Sequence, residues 1–128
     1  MILFDTHIWI WWAERSAQLP AAVDAYIQAE GKNGIGVSAM SCWEVAKLVS
    51  LGRIRLNAPV DQWLSNSLAT IQLIPLTPEI AVESTRLPGT FHRDPSDQII
   101  VATARYFSCP LVTVDRLIRA YPHVHAVP

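Results

Sequence analysis

Five carboxylates stand where chemistry could be done: Asp5, Glu44, Asp94, Asp97 and Asp115. Asp5 ends the apolar run Met1-Ile2-Leu3-Phe4, and Asp115 ends Leu111-Val112-Thr113-Val114. Asp94 and Asp97 head the apolar stretch from Ile99 to Ala104, with Pro95 between them. Asp94 falls where a helix N-cap belongs, Pro95 at the first helical position and Asp97 in the first turn. Taken singly, Asp5, Asp94 and Asp115 are explained by capping alone. Glu44 has no cap to make; it interrupts an almost wholly apolar helical pattern, where Lys47 three residues on is a candidate for a local ion pair. Carboxylates gathered at one spot repel one another and shift their pKa values unless a cation lies between them. An oxygen-only donor set selects a hard ion such as Mg²⁺ or Mn²⁺.

The apolar pattern also names the elements that would gather them. Residues 2–4 read as a short buried strand, and Thr6 to Glu14 as a helix with three tryptophans, Trp9, Trp11 and Trp12. Leu19 to Ala29 has helical spacing and exits through Gly31 and Gly34. A strand at 35–37 follows, then a helix capped by Ser38 and running to Gly52. A helix over 59–69, a strand over 71–76 and a helix opening at Pro78 and ending near Pro88-Gly89 come next. The Asp94 helix leads into a strand over 111–114, a short helix over 117–121 and an edge strand over 124–127. Strands alternating with helices imply a parallel sheet covered on both faces and joined by right-handed crossovers. In such sheets sites form beyond the carboxyl ends of the strands, where strand order reverses. Asp5 and Asp115 end strands on that edge, and Glu44 and Asp97 lie early in helices that begin there.

Composition narrows the classes. A length of 128 residues with 51% hydrophobic content suits one domain with a well-filled core, and a mean hydropathy of +0.23 argues against disorder. Ten Lys+Arg against eleven Asp+Glu give a net charge of −1, so a polyanion would have to be held locally or through cations. Cys42 and Cys109 lack ligand spacing and read as buried free thiols, which suits a cytoplasmic protein. The N-terminus has no basic segment, and Asp5 breaks its apolar run too early for a signal or a membrane span; the mature chain is expected to start at Met1.

Four stretches, Leu3-Phe4-Asp5-Thr6-His7, Ser38 to Glu44, His92 to Ala102 and Leu111 to Arg116, resemble in order and spacing the acidic motifs of PIN-domain ribonucleases. Within that family the likeness is to VapC-like toxins of bacterial toxin–antitoxin pairs, and it covers nearly the whole chain. The resemblance implies an α/β fold, a PIN-like parallel β-sheet sandwiched by α-helices in a single domain over 1–128. It implies hydrolysis of RNA phosphodiester bonds with Mg²⁺ or Mn²⁺. Carried over by position, the catalytic and metal-binding residues fall on Asp5, Glu44, Asp97 and Asp115, with Asp94 an additional carboxylate of the Asp-Pro-x-Asp motif. Thr6, Ser38 and Thr113 match positions where a small hydroxyl orients a carboxylate or water, and Lys47, Arg93 and Arg116 are candidate phosphate contacts. The partners implied are RNA, a second copy of the chain, and a VapB-like antitoxin whose peptide lies in an apolar groove and whose basic side chain reaches the acids.

Two other classes use a similar frame. A receiver-type phosphoacceptor domain needs paired acids after its first strand and a late Lys, but Asp5 is single and no Lys follows Lys47. A non-catalytic PIN-like binding module would tolerate loss of the acids, and all four are present. The tryptophans carry a separate expectation. With Ile8 and Ile10 they put more bulk on one short helix than a single buried face hides, so part of it is expected to be exposed, with Trp11 or Trp12 in the groove.

Overall fold

The computed structural model describes all 128 residues, Met1 to Pro128. The order is β1 (Ile2–Phe4), α1 (Thr6–Ala13), α2 (Ala21–Glu30), β2 (Ile35–Ser38), α3 (Ala39–Ser50), α4 (Val60–Ser67), β3 (Gln72–Ile74), α5 (Pro78–Ser84), α6 (Pro95–Tyr106), β4 (Leu111–Val112), α7 (Arg116–Ala120) and β5 (Ala126–Val127). A single 3₁₀ turn at Gly31–Asn33 closes α2. The five strands form one parallel sheet in the order β3-β2-β1-β4-β5. The expected parallel sheet between helical layers is therefore the observed one.

Strand alternation explains how so short a β1 organises both layers. Successive side chains of a strand face opposite ways. Ile2 and Phe4 accordingly join a core with Ile8, Trp9, Val45 and Trp63, while Leu3 joins a second core with Ile80, Ile100 and Ile118. Leu111 and Val112 of β4 divide between the same two layers. Helices α1 to α4 thus cover one face and α5 to α7 the other.

Several boundaries differ from those the pattern suggests, each for a local reason. The expected helix from Leu19 starts at Ala21, because the residue before Pro20 is driven away from helical backbone. The strand expected over 111–114 stops at Val112. Its partner β1 stops at Phe4, where Asp5 turns the chain to cap α1, so Thr113 and Val114 have no strand on that side to pair with. The strand expected over 71–76 is confined to Gln72–Ile74, the residues opposite β2, and the edge strand over 124–127 to Ala126–Val127. Cys42 and Cys109 are free thiols, half-buried and buried. No helix is long and apolar enough to cross a membrane.

Candidate functional site

β1 pairs with β2 on one side and β4 on the other, so strand order reverses between β1 and β4. Asp5 and Asp115 follow those two strands and cap the helices that leave them. Asp5 Oδ1 accepts from Thr6 N–H at 2.8 Å, and Asp115 Oδ1 accepts from Leu117 and Ile118 N–H at 2.9 and 3.0 Å. One hydroxyl ties the two together: Thr113 Oγ1 donates to Asp5 Oδ2 at 2.6 Å and accepts from Asp115 N–H at 3.0 Å. The Thr113 side chain is fully buried, as a group that holds a carboxylate in place must be.

Glu44 reaches the same place from α3. It does not pair with Lys47, which is exposed on the helix surface; the local ion pair that the spacing allows is not formed. Instead Glu44 Oε1 lies 2.5 Å from Thr6 Oγ1, which is also 2.8 Å from Ser41 Oγ. A threonine hydroxyl has one proton, and the charged acceptor takes it, which leaves Ser41 to donate to Thr6. Ser38 serves as the N-cap of α3, accepting from Met40 N–H at 3.1 Å, and makes no hydrogen bond to the acids. Of the three hydroxyls, Thr6 and Thr113 orient carboxylates and Ser38 caps.

The head of α6 supplies the rest. Asp94 is the N-cap, its Oδ1 accepting from Asp97 N–H at 3.0 Å and Ser96 Oγ at 2.9 Å. Burial alone would raise its pKa, but those bonds bring it below the ordinary carboxylate range. Asp97, one turn in, faces inward, and ligand atoms of His92, Asp97 and Asp115 lie within 4.8 Å of one another. Burial, then the charges of Asp5, Asp94, Asp115 and Glu44, push the Asp97 carboxyl up to about 7. Burial also raises Asp5, against the pull of its bonds to Thr113 and Thr6. Asp5, Glu44, Asp97 and Asp115 therefore stand near enough for their charges to act on one another, with Asp97 and Asp115 grouped most closely beside His92, and Asp94 caps α6 at the rim. His92 and Ser41 were not singled out as site residues by the sequence. His92 lies in a loop with no periodicity to aim it, and Ser41 is one of several small residues in an apolar helix.

No Lys or Arg pairs with these acids; the one ion-pair contact among them is His92 with Asp97. A half-buried, mutually repelling set of carboxylate oxygens without a basic side chain fits a hard divalent cation. Lys47, Arg93 and Arg116 are all exposed and unpaired.

A second feature lies at the far end of α1, about 12 Å along a helix of this length. Trp9 is fully buried against Trp63, at a ring separation of 5.0 Å, whereas Trp11 and Trp12 are half-buried. Trp12, with Leu19, Pro20, Arg15, Asp24 and Trp63, lines a cleft of about 1100 Å³. Of Trp11 and Trp12 only Trp12 lines this cleft, and Trp9 belongs to the core. Asp5, Glu44, Asp94, Asp97 and Asp115 do not border it.

The model of the PIN domain matches residues 2–124. Ribonuclease VapC22 of Mycobacterium tuberculosis is 34% identical over 126 residues, which cover 98% of this chain and 95% of that protein. Among solved structures, VapC20 of Mycobacterium tuberculosis, described as a sarcin-ricin loop cleaving toxin, superposes with a TM-score of 0.73 at 14% identity over the whole of both chains. VapBC2 of Rickettsia felis, bound to a fragment of promoter DNA, gives 0.70 at 17% identity, covering 99% of this chain and 98% of that one. At such identities the structures speak for the fold, and VapC22 and the family model speak for the lineage. The chain belongs to the PIN-domain family, in its VapC branch.

Proposed function

We propose that this protein is a metal-dependent endoribonuclease that hydrolyses RNA phosphodiester bonds in the cytoplasm and acts as the toxin of a toxin–antitoxin pair. The observation that carries the reading is the convergence of Asp5, Glu44, Asp97 and Asp115 at the strand-order reversal, with Thr6 and Thr113 bonded to two of them. A fold kept for binding alone has no use for buried hydroxyls that orient repelling carboxylates. The kinship with VapC22, itself named a ribonuclease, supports the same choice over a binding module.

In this reading Asp5, Glu44, Asp97 and Asp115 hold Mg²⁺ or Mn²⁺. What such an ion supplies when bound is Lewis acidity, which acidifies an attacking water and offsets charge on the phosphate. Thr6 and Thr113 keep Glu44 and Asp5 from rotating, so that no geometry has to be found during the reaction. Lys47, Arg93 and Arg116, exposed and unpaired, are assigned to the phosphate backbone on either side. Purified chain incubated with RNA is expected to cleave on addition of Mg²⁺ or Mn²⁺ and to stop in excess EDTA. Undiminished cleavage in EDTA sinks the metal reading.

For the partner, the cleft at the end of α1 is assigned to an antitoxin peptide, with a basic side chain extending along α1 to the acids; the toxin itself is proposed to be a homodimer. A solved structure of the same fold from Klebsiella pneumoniae, with a TM-score of 0.68, is described as a toxin–antitoxin complex. Aromatic side chains in a concave, partly apolar site are the usual anchors of such contacts. Trp12→Ala is expected to weaken antitoxin binding about tenfold or more, and Trp11→Ala by much less. Calorimetric titration of each folded variant with its antitoxin decides it; equal affinity for wild type and Trp12→Ala removes the cleft from the interface.

A further inference from the structure

Three of the four converging carboxylates are fixed by bonds already described: Asp5 by Thr6 N–H and Thr113, Glu44 by Thr6, and Asp115 by the backbone of α7. The Asp97 carboxylate has one polar contact only, the imidazole of His92, whose Nε2 lies 3.1 Å from Oδ2. His92 is also the sole nitrogen donor grouped with Asp97 and Asp115. Two roles are open to it. It could ligate a cation directly, or it could hold Asp97 while Asp97 does so.

The other ring nitrogen separates these roles. His92 Nδ1 accepts the backbone N–H of Asp94 at 3.3 Å. A neutral imidazole carries one proton, so accepting at Nδ1 puts that proton on Nε2. A nitrogen that bears a proton has no lone pair for an ion. It is a donor; Nε2 is buried and makes no aligned hydrogen bond in this structure, and Asp97 Oδ2, 3.1 Å away, is the acceptor within reach of a small turn of the ring. The ring is held from behind as well. Gln98 Nε2 donates to the His92 carbonyl at 3.1 Å, and the Phe91 ring lies 4.3 Å from the imidazole and 4.8 Å from Tyr121.

We infer that His92 is a positioning residue for Asp97: its Nε2–H engages Oδ2 and leaves Oδ1 turned toward the shared site, the part that Thr6 plays for Glu44. The inference rests on the metal-dependent reading above. Partners of this kind, one step removed from an ion, typically change its affinity 10- to 100-fold when lost.

The test uses the full chain and Mn²⁺ itself, followed by the paramagnetic resonance of free Mn²⁺ during titration. His92→Phe keeps a ring beside Phe91 but has no donor, and is expected to weaken Mn²⁺ binding about tenfold. His92→Gln places an amide N–H near the position of Nε2 and is expected to stay within about threefold of wild type. Pulsed spectra of the wild-type complex are expected to show no directly bound imidazole nitrogen. Three results overturn the inference: unchanged affinity in His92→Phe; equal losses in both variants together with lowered unfolding temperatures, which make the residue merely structural; or a bound-nitrogen signal in wild type that both variants lack, which makes it a ligand. Wild type that fails to bind Mn²⁺ at millimolar concentration refutes the metal reading and this inference with it, a result distinct from tight wild-type binding that His92→Phe leaves untouched.

Discussion

Asp5→Asn is expected to lower metal-dependent RNA cleavage by about a thousandfold, equivalent to about 4 kcal/mol of transition-state stabilisation, while leaving the chain folded. The substitution is close to isosteric, and the surroundings can accept it. The amide oxygen can take the Thr6 N–H, and the amide nitrogen can donate to Thr113 Oγ1, whose own proton then turns aside. What is lost is the negative charge that the half-buried site presents to a cation. Burial already holds the Asp5 carboxyl above its ordinary range, so removing its charge relieves strain in the ion-free protein. The unfolding temperature without metal is therefore expected to be equal to or above that of wild type at pH 8. Thermal unfolding and single-turnover cleavage on the same preparation check both halves. A folded Asp5→Asn variant that cleaves within a few-fold of wild type would falsify the assignment of Asp5 to the metal.

The second large effect is a pH dependence that Asp97→Asn removes. The folded-state pKa of Asp97, about 7, lies above its ordinary value of 3.8. Between roughly pH 4 and pH 7 the folded chain keeps a proton that the unfolded chain has released. This group's contribution to stability is thus complete below about pH 4 and is lost as pH rises through about 7. With allowance for partial exposure and solvent screening, the loss is on the order of 2 kcal/mol. Ion-free Asp97→Asn is therefore expected to be more stable than wild type at pH 8 by about that amount, and to match it more closely at pH 4. Added Mn²⁺ should reverse the ranking at pH 8, because only a state that binds the ion gains from it. Asp94→Ala is the contrasting variant. It removes the N-cap of α6, lowers stability by about 1 kcal/mol at any pH where the cap is charged, and leaves cleavage within a few-fold. If Asp94→Ala is the inactive, stable variant and Asp97→Asn is fully active, the two roles are exchanged.

Thr6 and Thr113 give the site a division of labour that affects how its variants are read. Removing a hydroxyl from either position frees a carboxylate to rotate without deleting a charge, so such variants lose geometry and keep charge. Glu44 is the case in point. Its position in α3 gives it no structural duty, and its one hydrogen bond in the fold comes from a residue on another helix.

Local interactions explain what could be read from the chain alone. Asp5, Asp94, Asp115 and Ser38 all cap the helices they precede, since a cap needs only its own few residues and leaves its mark in adjacent letters. The sequence of strands and helices, the parallel sheet and its two covering layers follow from hydrophobic period in the same way. Strand ends were less legible, because β4 stops where its neighbour β1 stops and not where its own apolar run does. The partners of the acids lie beyond any local pattern: Thr113 meets Asp5 across 108 residues, and Thr6 meets Glu44 across 38, where the spacing within α3 offered Lys47 instead. A helix apolar on every side, such as α1, likewise cannot say which tryptophan meets which neighbour; only packing against Phe4, Trp63 and α2 buries Trp9 and leaves Trp12 at the cleft. Sequence by itself determined the residue types, the caps and the period. The tertiary fold alone decided which carboxylates face one another, what holds each of them and where water is excluded, because those depend on contacts between segments that the chain visits far apart.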